Sequence, residues 1–208
     1  MKHLVFSSCC VFLAAGVLAA QESPRFSFAI GGGFTETAGN TGRNLDNGWN
    51  IRGGAGVNFT DHLGAMLNLG YNQFGINQAT LSNIGVPDGD VHIFSATIDP
   101  VIHLNPHGHV DFYLTGGGGL YHWYQEFTQP SVAIVTAYNP FFGFYPAAVP
   151  TAQILGSYSV NRPGVDFGAG IAIGTKHRGK IFAEARYDHI YMQNSHVDYI
   201  PVTFGFRW

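Results

Sequence analysis

Residues Ile200-Pro201-Val202-Thr203-Phe204-Gly205-Phe206-Arg207-Trp208 place an apolar side chain at every second position, with Pro201, Thr203, Gly205 and Arg207 in the gaps. A period of two is the pattern of a β-strand with one apolar face. In a water-soluble protein that face would meet a core. Here the same alternation recurs along the chain, behind an apolar leader. The economical structure is a closed barrel whose apolar faces point outward into lipid.

Composition narrows the class in the same direction. Charged residues make up 11% of the 208 residues and aromatics 14%, with 28 glycines. A typical soluble domain is about 25% charged and about 7% Gly. Beyond the leader no stretch is a long unbroken apolar run, so spanning helices do not account for the low charge. The net charge of -3 is too small to point to nucleic acid or an acidic partner.

The start reads Met1-Lys2-His3, then an apolar run from Leu4 to Leu18, then Ala19-Ala20-Gln21-Glu22. A positive n-region, an apolar h-region and small residues before a polar junction predict a signal peptide over 1–20, cleaved after Ala20 or one residue earlier. Residues 21–208 then form the barrel domain. Both cysteines, Cys9 and Cys10, fall in the leader, so no disulfide is expected in the mature chain.

Eight alternating segments follow. They are Arg25 to Phe34, Trp49 to Phe59, Leu63 to Asn72, Val91 to Leu104, Val110 to Trp123, Pro163 to Gly174, Ile181 to Met192, and the terminal strand. Large apolar residues share one face, as with Leu63, Ala65, Leu67, Leu69 and Tyr71. Glycines and polar residues share the other, as with Gly64, Met66, Asn68, Gly70 and Asn72. The connections alternate in length. Short ones fall at 60–62, 105–109 and 175–180, and longer ones at about 35–48, 73–90, 124–160 and 193–198. Tight periplasmic turns and larger outside loops alternate in this way in an outer-membrane barrel. A soluble lipocalin-like barrel would share the order of strands, but a water-facing surface of Gly, Asn and Ser with so little Lys would be unusual.

The leader, the eight segments and the aromatic-ended last strand resemble the small outer-membrane β-barrel family of the OmpA transmembrane-domain or OmpX type. In that family, alternate hydrophobic residues closing on a terminal aromatic form the signal read by the barrel-assembly machinery. Phe204, Phe206 and Trp208, with Tyr199 upstream, match that pattern. The stretch Phe182-Ala183-Glu184-Ala185-Arg186-Tyr187, followed by Ile200 to Gly205, is similar to the last hairpin of such proteins. The resemblance covers about residues 25–208 and implies fold and location more than activity. The peptidoglycan-binding domain of full-length OmpA-like proteins is not expected.

The interior of an eight-stranded barrel is just wide enough to be filled by side chains, so diffusive solute passage is not expected. By alternation Arg52, Asp99, Asp111, Asp166, Glu184, Arg186 and Asp188 point inward. Enclosed charges must be paired or wetted. The expectation is a structural ion-pair network with Arg186 and Arg52 as hubs; a proton or ion relay is the sharper alternative. His103, His107 and His109 crowd one turn, where solvated histidines are expected in preference to a metal centre. No cofactor or metal is assigned. Enzymes on such barrels need a His with Ser or acid partners near the outer leaflet. His122, Glu126, His189, Ser195 and His196 lie at loop-facing strand ends, but no motif joins them.

From Phe127 to Asn161 there is no charged residue, while Pro130, Pro140, Pro146 and Pro150 rule out a spanning helix. The expected structure of 124–160 is a long apolar outside loop folded against the barrel mouth. Alternatively it offers an adhesive patch for an extracellular ligand, or short strands such as Ser131 to Ala137 extend the wall. Were they to span, the barrel would have ten strands.

The sequence therefore reads as an all-β, eight-stranded antiparallel up-and-down transmembrane barrel, with short periplasmic turns and longer extracellular loops. It is expected to be a monomer in the outer membrane of a Gram-negative-type bacterium, in contact with outer-membrane lipid. Its expected role is non-enzymatic, structural or surface-interacting. The alternatives are an outer-membrane enzyme acting on lipid or peptide and a narrow channel. A His, a Ser and a carboxylate within hydrogen-bond reach at the outer rim would mark the enzyme.

Overall fold

The computed structural model describes residues 26–174 and 179–208. The segment read as a signal peptide and most of the 175–180 turn lie outside the described residues. Eight strands, β1 (Phe26–Ala38), β2 (Gly48–Asn58), β3 (Leu63–Gly75), β4 (Asp88–His103), β5 (Val110–Asn139), β6 (Gly143–Gly174), β7 (Lys180–Tyr191) and β8 (His196–Arg207), pair antiparallel in chain order. The ring closes where β1 meets β8, with Ala29 opposite Arg207 and Ala38 opposite Asp198. One short helix, α1 (Gln78–Ile84), lies in the β3–β4 connection.

The predicted faces hold. On β3, Leu63, Leu67 and Leu69 are exposed while Gly64, Met66, Asn68 and Asn72 are buried. The outward residues form an apolar band that ends, away from the short turns, in aromatic rings: Trp49 and Tyr71 lie 5.3 Å apart, Tyr71 and Phe94 4.8 Å. Amphipathic rings at that height suit a membrane–water interface. Leu67 sits within the band, opposite Ala55 and Ile98. Leu67→Arg is expected to cost about 2–4 kcal/mol near the bilayer midplane. Asn68→Arg, facing the lumen, is expected to cost less, as read by urea unfolding in lipid vesicles. The reverse ranking would mean that the faces are exchanged by a one-residue slip.

Narrowness brings the backbones of this small cylinder close together. A Cβ on inward-facing Gly119 would lie 2.0 Å from the carbonyl oxygen of Ala96 on β4. Only glycine fits there.

The interior is filled in three layers. At the turn end Met66, Val101, Tyr113, Ala172 and Phe182 pack together, and the Arg207 guanidinium lies 4.3 Å from the Tyr113 ring centre. A charged layer occupies the middle. Above it comes an apolar layer built from Phe74, Val91, Ile93, Tyr121, Trp123, Ile190 and Tyr199, closed over by Leu45, Ile76 and Leu81. At this height the alternation inverts. Inward Phe74, Ile93, Trp123 and Ile190 are apolar, while the outward neighbours Gln73, His92, His122 and His189 are polar. Below the inversion the wall faces lipid; above it, water.

Two connections make the lid. Leu45 bridges to Ile76, and Asn77 Nδ2 donates to Asp46 Oδ1 at 3.0 Å. Asn77 caps α1 by accepting from the Ala79 N–H, and Gly85 ends the helix at φ +71°. Leu81 points down into the apolar layer and is fully buried.

The expected loop over 124–160 is corrected to strand. β5 and β6 run on as a hairpin past the barrel, with a turn only at Pro140–Phe142. It does not fold against the mouth, which the β1–β2 and β3–β4 connections cover, and the strand count stays at eight. β5 last pairs with β4 at Thr128, and β6 first pairs with β7 at Gly164. Gln129–Asn139 and Gly143–Gln153 thus form a two-stranded ribbon without lateral neighbours, starting at a register shift beside Phe127 and Thr128. Prolines are compatible with it because each strand has a free edge. At about 3.3 Å per residue the eleven residues of Gln129–Asn139 reach roughly 35 Å beyond the rim.

Candidate functional site

Three places carry chemistry: the charged layer, the outer rim and the ribbon. In the charged layer, Arg186 on β7 is the hub. Its Nε donates to Glu184 Oε1 at 2.5 Å, and its Nη1 reaches Asp99 Oδ2 at 2.5 Å and Asp166 Oδ1 at 3.0 Å. Gly168 opposite makes room for its stem, since a Cβ there would lie 2.6 Å from Arg186 Cγ. Arg52 is a looser second centre, 3.8 Å from Glu184 and 3.7 Å from Asp188. Neutral donors complete the set: Asn68 and Thr97 donate to Asp99 at 2.6 and 3.0 Å, and the Tyr121 hydroxyl to Asp188 at 2.8 Å.

Six of the seven residues expected in one network are therefore joined. Asp111 is not. It lies near the turn end, 2.7 Å from His103 Nδ1 and 3.1 Å from Lys180 Nζ. It sits lower along the barrel than the Arg186 carboxylates, opposite Ala172 of the turn-end layer. The network also takes in a residue left among the gaps of the terminal stripe: Arg207 points inward and lies 3.8 Å from Glu184. Its inward parity was the available signal.

The terminal stripe needs one correction. Phe204, Phe206 and Trp208 face outward, but Tyr199, on the opposite parity, is wholly buried and packs edge-on against Phe74 at 5.4 Å. It belongs to the apolar layer.

At the rim, Asp198 holds two histidines, with His189 Nδ1 at 2.6 Å and His196 Nε2 at 3.4 Å, and the two rings stack at 5.4 Å. The Asp198 N–H donates to Thr41 Oγ1 at 2.9 Å. Ser195 is exposed, and among the described residues no hydrogen bond joins its hydroxyl to either histidine. His122 pairs instead with Asn161 at 2.7 Å, and Glu126 accepts from the Tyr124 hydroxyl at 3.0 Å. His92 bonds to Tyr71 at 2.8 Å and comes within 4.0 Å of Glu126. These groups make a polar collar outside the wall. The turn histidines do not converge: His103 serves Asp111, while His107 reaches Asp61 at 3.5 Å.

The ribbon rises above this collar. One face carries Val132, Ile134, Tyr138, Phe144, Pro150 and Ile154; the other carries Gln129, Ser131, Thr151 and Gln153 near the barrel and Val135, Val149 and Tyr145 farther out, with Gln129 donating to Gln153 at 3.1 Å. At the tip, Phe141 is 94% exposed.

Among solved structures the chain is similar to neisserial surface protein A, at 15% identity over 88% of this chain and 95% of that one, with a TM-score of 0.56. Ail, the attachment invasion locus protein of Yersinia pestis, aligns at 18% identity over 88% and 98%, TM-score 0.47. The outer membrane protease OmpT of Escherichia coli aligns at 10% over 90% and 97%, TM-score 0.46. At such identities the likeness is one of fold. No curated protein sequence matches the chain. A family model described as the outer membrane protein beta-barrel domain matches residues 7–208. With its closed ring of eight strands and its outward apolar band, the chain belongs to the outer membrane protein beta-barrel domain family, and its place is the outer membrane.

Proposed function

We propose that this barrel is a non-enzymatic surface-interaction protein whose contact element is the β5–β6 ribbon. The observation that carries this reading is the ribbon itself. It is a charge-free apolar element about 35 Å long, held in water above a polar collar. The filled interior argues against a channel, because apolar, charged and apolar layers follow one another along the axis. The rim offers no support for a serine triad: no hydrogen bond among the described residues joins a serine hydroxyl to the Asp198 histidines. Export by the amino-terminal signal, a monomeric state and insertion by the assembly machinery complete the proposal.

The test is to remove residues 131–151 and join Pro130 to Ala152, which face each other across the ribbon, by a Gly-Ser turn. The shortened barrel is expected to fold, judged by its heat-dependent gel shift. Retention of the expressing cells on hydrocarbon-coated and protein-coated surfaces is expected to fall several-fold. Unchanged retention on both would remove the ribbon as the contact element.

A further inference from the structure

The ribbon is a second apolar zone, with exposed Val132, Ile134 and Tyr138 on one face and Val135, Val149 and Tyr145 on the other. The collar of His92, His122, Glu126 and Asn161 separates it from the band that meets the protein's own membrane. It is therefore not an extension of the lipid-facing wall and calls for its own partner. The edges exclude one kind of partner. Pro146 faces Thr136, Pro150 faces Val132, and Pro130 faces Ala152, so all three prolines fall on rungs of one parity. A proline fits without breaking the ribbon only where the residue's N–H would point away from the partner strand. The prolines thus delete two outward donors on the β6 edge and one at the base of the β5 edge, and an added strand would find those bonds missing.

Charge excludes another kind. With no charged residue from Phe127 to Asn161, the ribbon has nothing with which to select a polyanion or an acidic peptide. What it does present is a fixed aromatic tip. The Asn139 side chain accepts from the Phe141 N–H at 2.9 Å, and Gly143 turns the chain at φ +84°. Tyr138 packs on Phe144 at 5.1 Å and Phe142 on Tyr145 at 5.3 Å. Phe141 is left projecting. Neutral aromatic rings carrying hydroxyls near their base suit the boundary between lipid headgroups and acyl chains.

We propose that the tip inserts into the interface of an apposed lipid bilayer of net-neutral headgroups, a partner that lies across from the protein's own membrane. This rests on the surface-interaction reading and names its target. The reach of roughly 35 Å sets the tip beyond its own headgroup layer when the ribbon stands upright.

The experiment uses the barrel in lipid nanodiscs with a polarity-sensitive fluorophore on Phe141→Cys, to which phosphatidylcholine vesicles are added. A blue shift on vesicle addition is expected, together with co-flotation. In an unlabelled Phe141→Ser/Phe142→Ser variant that keeps its heat-dependent gel shift, co-flotation should weaken by about tenfold or more per ring. A blue shift already present in the nanodisc would place the tip in its own membrane and overturn the proposal. A shift without vesicles that grows with protein concentration would mean a second copy, with the same consequence. No shift at all also overturns it. If vesicles fail to bind while ribbon-deleted cells still lose retention on protein-coated surfaces, the lipid target falls and the surface-interaction reading stands. If deletion changes no retention, that reading falls by itself.

Discussion

Arg186→Ala is expected to destabilise the barrel by about 3–5 kcal/mol, the scale on which removing one partner of a buried ion pair acts. Arg186 is 3% exposed and meets three carboxylates, those of Asp99, Asp166 and Glu184. Without it, Glu184 keeps, among the described residues, only the ion pairs with Arg52 and Arg207 at 3.8 Å each, and Asp99 keeps two neutral donors. Asp166 would lose its only ion pair among the described residues. The midpoint of urea unfolding in vesicles, or the temperature at which the compact gel band is lost, measures the effect.

A second variant separates charge balance from packing. Arg186→Met with Asp99→Asn and Asp166→Asn removes the guanidinium and two of the charges it holds. Replacing several members of a buried network together is far milder than stranding them. The triple variant should therefore recover much of the loss. If Arg186→Ala unfolded like the parent protein, the hub would carry no stability, and the carboxylates would have to be satisfied by other means.

The lipid-facing part of this fold was legible in the sequence because lipid imposes a strict parity. Leu67 and Asn68, or Phe206 and Arg207, sit on opposite faces with few exceptions, so strand order, closure and the inward charges followed from alternation alone. The collar marks where that reading stopped. There Ile93 turns inward and His92 outward, and a pattern taken for lipid-facing strand dissolves although the strand continues. The apolar layer of Phe74, Trp123 and Ile190 was missed for this reason. The ribbon was seen only in part, as the alternative that short strands such as Ser131 to Ala137 extend the wall, for another reason. Prolines spaced along 130–150 ruled out a spanning helix, but their shared rung parity becomes visible only once β5 and β6 are paired. Partners across the barrel, such as Lys180 with Asp111, depend on the stagger between strands, which no single strand encodes.

Deleting Phe206 to Trp208 is expected to abolish closure. These residues sit at the seam: Phe206 pairs with Ile30 on one side and Ile181 on the other, and Arg207 with Ala29 and Lys180. Phe28 and Trp208 exchange backbone hydrogen bonds of 2.7 and 2.9 Å, and their rings stack at 6.3 Å. The deletion would leave facing edges of β1 and β7 open in hydrocarbon, where each unpaired backbone group costs several kcal/mol. It would also remove the guanidinium on Tyr113. The truncated chain is expected to show no compact gel band after refolding into vesicles. In cells it is expected to accumulate as a protease-sensitive species short of the outer membrane. Phe206→Ala/Trp208→Ala keeps the backbone seam and removes only the outward rings. That variant should refold in vesicles but insert poorly in cells, if the aromatic stripe is what the assembly machinery reads. Normal surface exposure of the truncated chain would show that the barrel closes without its last three residues, and the terminal strand would lose the role assigned to it.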